Sequence, residues 1–178
     1  MREEEETMLD HAVAKLLNEQ VNKEFYSAYL YLDFSNYYSA KGLNGFANWY
    51  RVQAREEQDH ALMIYDYLLE NNAPVTLDAI AAPDKKFEDF AQPLHAALAH
   101  EEYVTSLIHR IYAAAADVKD YRTMKFLDWF VAEQGEEEKN THELISRMDL
   151  FGGKPESLYM LDKDLAARTY SAPAVSAD

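Results

Sequence analysis

The sequence predicts an all-α fold: a bundle of four long helices, with a long crossover between the second and third and a short fifth helix after the fourth. Three observations carry that reading. Of 178 residues only 5 are Gly and 5 are Pro, too few breakers for a fold of many short elements. Apolar residues recur at helical spacing through four long stretches, and the breakers fall between them. No strand pattern and no repeat of solenoid period is present.

After the acidic MREEEE, expected to fray, Thr7 followed by Asp10 reads as the start of the first helix. Its stripe of Leu9, Val13, Leu17, Val21, Phe25, Ala28 and Leu32 carries it to about Ala40. The link Lys41 to Asn44 contains Gly42, ends this helix, and offers Asn44 as the N-cap of the second. So short a link makes the two helices antiparallel neighbours. The second helix runs to about Glu70, where Asn71, Asn72 and Pro74 stop it. From Ala73 to about Glu88 there is no periodicity and too much chain for a tight turn, which predicts a crossover running the length of the bundle. Asp89 with Gln92, and Pro93 in the first turn, opens the third helix, marked by Leu94, Ala97, Ile108, Ile111 and Ala115. Asp117 to Asp120 links it to the fourth, marked by Met124, Leu127, Phe130, Leu144 and Met148. Gly152, Gly153 and Pro155 precede the fifth, about Glu156 to Arg168. Residues 1–178 therefore read as a single domain, with disordered tails expected over 1–6 and from about 170 to 178.

Composition removes several classes of function. Without Cys there is no thiolate metal site, disulfide framework or cysteine nucleophile. A formal net charge of −15 argues against nucleic-acid binding, which needs Lys and Arg at phosphates, and makes cations the natural partners. No apolar run approaches a membrane span, so no membrane partner is expected. The acidic start lacks the basic and then apolar pattern of a signal peptide, and the expected location is cytoplasmic.

The informative acids are those that interrupt apolar stripes. Glu57 and His60 stand three apart on the inner face of the second helix, where a core would take leucine. Taken alone, the pair fits a salt-bridged or hydrogen-bonded core histidine as well as a metal site. Glu24, with Tyr31 two turns on, interrupts the first helix, Glu101 the third, and Gln134 and Glu137 the fourth. At about 1.5 Å rise per residue, Glu24 lies roughly 18 residues before the first link and Glu57 roughly 15 after it; Glu101 lies roughly 17 before the second link and Gln134 to Glu137 roughly 16 to 19 after it. Four helices thus lose a core position at one level. No Lys or Arg lies nearby on those stripes, so the missing positive charge is read as metal. An oxygen-rich set with one imidazole suits Fe(II), Mn(II) or Zn(II), and the number of carboxylates allows two ions sharing Glu57 as a bridge.

Five stretches extend the pattern: LNEQVNKEFYSAYLY from Leu17, EEQDH from Glu56, AHEE from Ala99, FLDWFVAEQGEEEK from Phe126 and LYMLDKDL from Leu158. Through them the chain resembles the non-haem bacterial ferritins, a ferritin-like di-iron carboxylate family. The fold this implies is the ferritin-like four-helix bundle. The activity implied is a ferroxidase that oxidises Fe(II) with dioxygen or hydrogen peroxide and deposits ferric oxyhydroxide inside a homo-oligomeric shell. In that family the shell has 24 subunits, with the fifth helix at a four-fold axis. The resemblance implies one iron at Glu24, Glu57 and His60, and a second at Glu57, Glu101 and Glu137 with Gln134 beside them. Tyr31 matches the family tyrosine near the iron, and a third iron would use Glu56, Glu133, Glu136 and Glu137. Trp129 matches a tryptophan near the centre.

Departures from related families also carry expectations. Gln58 stands where bacterioferritins place their haem-ligating Met, and Asn140 where they complete a second Glu-x-x-His, so no haem is expected. At the three-fold pore this chain offers Met124 and Leu127 where animal ferritins have acids, leaving Asp117, Asp120 or Asp128 for iron entry. The alternative activity is a peroxide-consuming di-iron protein protecting against oxidative stress, although rubrerythrin-like peroxidases need Cys. A non-catalytic shell subunit of the light-chain kind lacks the acids found here.

Overall fold

The computed structural model describes residues 7–173. Five helices follow in order, α1 (His11–Ala40), α2 (Asn44–Glu70), α3 (Gln92–Asp117), α4 (Tyr121–Phe151) and α5 (Pro155–Leu165), with no strand among the described residues. Among the described residues no helix is long and apolar enough to cross a membrane.

Helix ends correct the sequence reading in detail. Asp10, not Thr7, caps α1: its carboxylate accepts from the N–H groups of Ala12 at 2.8 Å and Val13 at 3.4 Å. Asn44 is the first residue of α2 rather than its cap, and the cap position, Leu43, has no side chain able to serve. The free N–H groups of Gly45 and Phe46 instead donate to Asp162 of α5, at 2.8 and 3.0 Å. This capping from a distant helix requires glycine at 45, because a Cβ there would lie 1.6 Å from the Asp162 carbonyl oxygen. Asp89 accepts from the Gln92 N–H at 2.9 Å, as its spacing predicts, one turn before α3. Asp120 caps α4 through the Thr123 N–H at 3.0 Å. The fifth helix closes at Leu165, so Arg168 lies beyond it.

The crossover sets the direction of α3. It starts beside the first half of α1, where Asn18 and Asn22 bond the backbone of Thr76, Asp78 and Ala79. It ends at the other end of α1, where Phe87 packs on Phe34 and Tyr37, and Tyr38 donates to the Phe90 carbonyl. Consequently α3 runs antiparallel to α1 and parallel to α2, as expected of a full-length crossover.

The core has two parts. One apolar cluster, including Val13, Leu17, Ile64, Ile108, Leu127 and Phe130, fills the end that holds the start of α1. Another, including Phe34, Tyr38, Phe46, Leu94, Leu144 and Leu161, fills the opposite end. Between them lie Gln20, Glu24, Gln53, Glu57, His60, Glu101, Gln134 and Glu137, all buried. Of the expected tails, residues 1–6 and 174–178 lie outside the described residues; within them, Tyr170 donates to Asp59 at 2.6 Å and lies under Arg55.

Candidate metal centre

Glu24, Glu57 and Glu101 are each held by hydrogen bonds from their own helix or from neighbouring ones. On α1 and α2 the device is the same: a glutamine four residues earlier, hence on the same face, donates to the carboxylate. Gln20 bonds Glu24 at 2.7 Å, and Gln53 bonds Glu57 at 3.3 Å. His60, one turn after Glu57, meets its second oxygen through Nδ1 at 3.2 Å. On α3, Glu101 accepts from the Tyr31 hydroxyl of α1 and from Gln134 of α4, the latter at 3.1 Å. Glu137 follows Gln134 by one turn and is 5% exposed.

Glu24, Glu57 and His60 each offer a ligand atom within 4.8 Å of the others, and all three are buried. Glu101 and Glu137 belong to the same layer but stand outside that tight group. One Glu24 oxygen, Oε2, is buried with no hydrogen-bond partner, although the other has Gln20. An orphaned carboxylate oxygen beside a second carboxylate and an imidazole, with no Lys or Arg among the described residues paired to Glu24, Glu57, Glu101 or Glu137, fits a cation.

Protonation follows from the same crowding. Burial, then the Glu57 charge, pushes Glu24 up to about 8. Glu137 is likewise raised to about 8 by burial and Glu57, and Glu101 is held well above the carboxylate range by burial, Glu57 and Glu137. Glu57 goes the other way: burial would raise it, but the His60 charge and hydrogen bond hold it below an ordinary carboxylate. For His60, burial opposes the charged form, yet Glu57, Glu24 and Glu137 together raise it to about 10. At neutral pH these shifts favour a His60–Glu57 ion pair among acids that keep their protons. Burial and Glu101 also raise Tyr31 well above an ordinary phenol.

The third group of acids is arranged differently. Glu133 lies 4.0 Å from His60 Nε2 and is half-buried, while Glu136 is exposed. Glu56 is taken by Arg168, whose Nη2 lies 2.5 Å from Oε2. This cation had no signal on the helix stripes because it comes from beyond α5. The sequence reading missed Gln20 and Gln53 as partners of Glu24 and Glu57, although their i, i+4 spacing was a signal for them. His100, beside Glu101, bonds Ser27 of α1 at 2.8 Å and turns its ring edge-on to Tyr31. Trp129 packs on His60 with ring centroids 5.3 Å apart. Gln58 is exposed. Of the pore candidates, Asp120 caps α4 and Asp128 accepts from Tyr112, while Leu127 is buried core. A surface cleft of about 930 Å³ lies between the start of α1 and the crossover, lined in part by His11, Lys15 and Asn18, apart from the buried layer.

The ferritin-like domain model matches residues 14–151. A bacterial non-heme ferritin of Staphylococcus epidermidis is 36% identical over 92% of this chain and 99% of its own length. A probable bacterial non-heme ferritin-like protein of Haemophilus influenzae is 35% identical over 89% of this chain and 96% of that protein. Among solved structures, an Archaeoglobus fulgidus ferritin engineered to a closed form superposes with a TM-score of 0.89 at 37% identity, covering 92% of this chain and 99% of that one. The open-pore ferritin of the same archaeon gives 0.89 and 37%, over 91% and 99%. The chain belongs to the ferritin family.

Proposed function

We propose that this protein stores iron in a homo-oligomeric shell and oxidises Fe(II) within the buried layer, using dioxygen or hydrogen peroxide. The observation that carries the reading is the convergence of Glu24, Glu57 and His60 within 4.8 Å, buried, with a carboxylate oxygen left unpartnered. The non-heme ferritins it resembles support storage as the purpose.

In this reading Glu24, Glu57 and His60 bind one Fe(II), and Glu57, Glu101 and Glu137 a second, with Glu57 shared and Gln134 alongside. Each Fe(II) gives one electron; with two protons, the pair reduces dioxygen to hydrogen peroxide. The protein's part is to bring the ions together, to exclude bulk water, and to release the protons its acids hold when empty. Tyr31, donating to Glu101, keeps that carboxylate aimed at the layer. A third ion would lie against Glu56, Glu133, Glu136 and Glu137, where Arg168 now supplies the positive charge. Ferric product would collect as oxyhydroxide inside a shell of 24 subunits, the assembly of the family.

The test is rapid mixing of anaerobically loaded Fe(II) protein with air. Fast oxidation of about two irons per chain, followed by slower mineral growth, is expected. Glu57→Ala and His60→Ala remove the fast phase. Fast oxidation preserved in both variants would exclude the layer as the site, and elution as a small oligomer in size-exclusion chromatography would exclude the shell.

A further inference from the structure

The segment after α5 is seated on α2 by contacts that do not involve the metal layer. Asn48 donates to the Arg168 carbonyl at 3.0 Å, the Arg168 guanidinium lies 4.2 Å above the Trp49 ring, and Tyr170 bonds Asp59 at 2.6 Å. This seat delivers the guanidinium to two residues of the iron-binding face. Nη2 meets Glu56 Oε2 at 2.5 Å, and Nη1 meets Gln53 Oε1 at 2.9 Å. Both partners of the Arg168–Glu56 pair are largely shielded, at 17% and 18% exposure, so the pair is not a solvent-screened surface contact. Donation to Gln53 Oε1 also turns the amide so that its nitrogen faces Glu57, at 3.3 Å.

We infer that Arg168 is a built-in cation for the third metal position. It neutralises Glu56 while only the inner layer is filled, and a third divalent ion has to displace it. The inference rests on the dinuclear reading above and refines it: Glu56, Glu133 and Glu136 form a metal site whose affinity is set by the C-terminal segment. Among the described residues neither Glu133, 4.0 Å from His60 Nε2, nor the exposed Glu136 pairs with an arginine or lysine, so Glu56 is the group over which the two cations compete. The guanidinium forms charge-assisted hydrogen bonds and stacks on Trp49, and removing it should tighten third-ion binding about 10- to 100-fold.

The experiment is calorimetric titration of the metal-free assembled protein with Zn(II) alone, which binds without redox chemistry. Wild-type protein takes up two ions per chain, lost in Glu57→Ala, and a third only weakly. Arg168→Ala takes up a third at least about tenfold more tightly than wild type. Glu56→Gln in the Arg168→Ala background returns uptake to two. Wild-type protein with three tight ions, or Arg168→Ala with unchanged uptake beside an intact inner layer, overturns the inference alone. Absence of any Glu57-dependent uptake in wild type overturns the dinuclear centre, and this inference with it.

Discussion

Replacing Glu24 with Gln should make the metal-free protein more stable, because the carboxyl is placed for a cation and not for the fold. Burial and the Glu57 charge raise its folded pKa from an ordinary 4.5 to about 8. The folded state thus holds a proton that the unfolded chain has released across that interval, and stability falls as pH rises from 4.5 towards 8. At about 1.4 kcal/mol per pH unit, the penalty is about 1 kcal/mol at pH 5 and about 3 kcal/mol at pH 7. Glutamine keeps the acceptor for Gln20 and replaces the orphaned Oε2 with a donor facing Glu57. Denaturant unfolding followed by circular dichroism, with chelator present and at matched protein concentration, measures the difference. Glu24→Gln should exceed wild type, by about 2 kcal/mol more at pH 7 than at pH 5. With Zn(II) added the advantage of the variant shrinks, since wild type gains binding energy at both positions while Glu24→Gln keeps an intact ligand set only at Glu57, Glu101 and Glu137. A variant less stable than wild type without metal, or a difference that ignores pH, refutes the account of the layer.

Other consequences are as direct. Because Glu24 and Glu137 sit near 8, Glu101 well above the ordinary range and His60 near 10, metal uptake at pH 7 must expel protons. Zn(II) added to weakly buffered protein should acidify an indicator dye, and affinity should climb from pH 6 to pH 8; no acidification would mean the acids are already ionised. Asp162→Ala removes the acceptor that caps α2 from α5 and should cost about 1–2 kcal/mol in denaturant unfolding. Gly45→Ala drives a methyl group into the backbone of α5, so that helix should undock, read as new tryptic cleavage at Lys163; an unchanged digestion pattern would contradict the contact.

The helices were legible because their signals are local. Stripes are broken at Gly42, Pro74 and Gly152, and the cap at Asp120 lies in the link that its spacing marks. The polar layer was legible for a geometric reason: fixed rise per residue turns distance from a link into height, so Glu24, Glu57, Glu101 and Glu137 could be aligned by counting. What was not legible depended on groups far apart in sequence. Leu43 cannot cap α2, and nothing near it indicates that Asp162 will. Glu56 reads as a free acid beside the centre until Arg168, more than a hundred residues later, is brought onto it. Asp10 displaced Thr7 as the cap of α1 because both residues suit that role, and only the backbone decides between them.

The buried layer also records a symmetry in the chain. An interval of 33 residues separates Glu24 from Glu57, and the same interval separates Glu101 from Gln134; 36 residues separate Glu24 from His60, and Glu101 from Glu137. The two hairpins run in opposite senses, so α1 with α2 maps onto α3 with α4 by a half-turn across the bundle. Donors break that half-turn at two places, Glu57 against Gln134 and His60 against Glu137. The bundle is thus a near-duplicate of itself with a polarity written into its middle. Each half brings two carboxylates, but one adds an imidazole nitrogen and the other an amide, and a cation entering the layer can tell the halves apart.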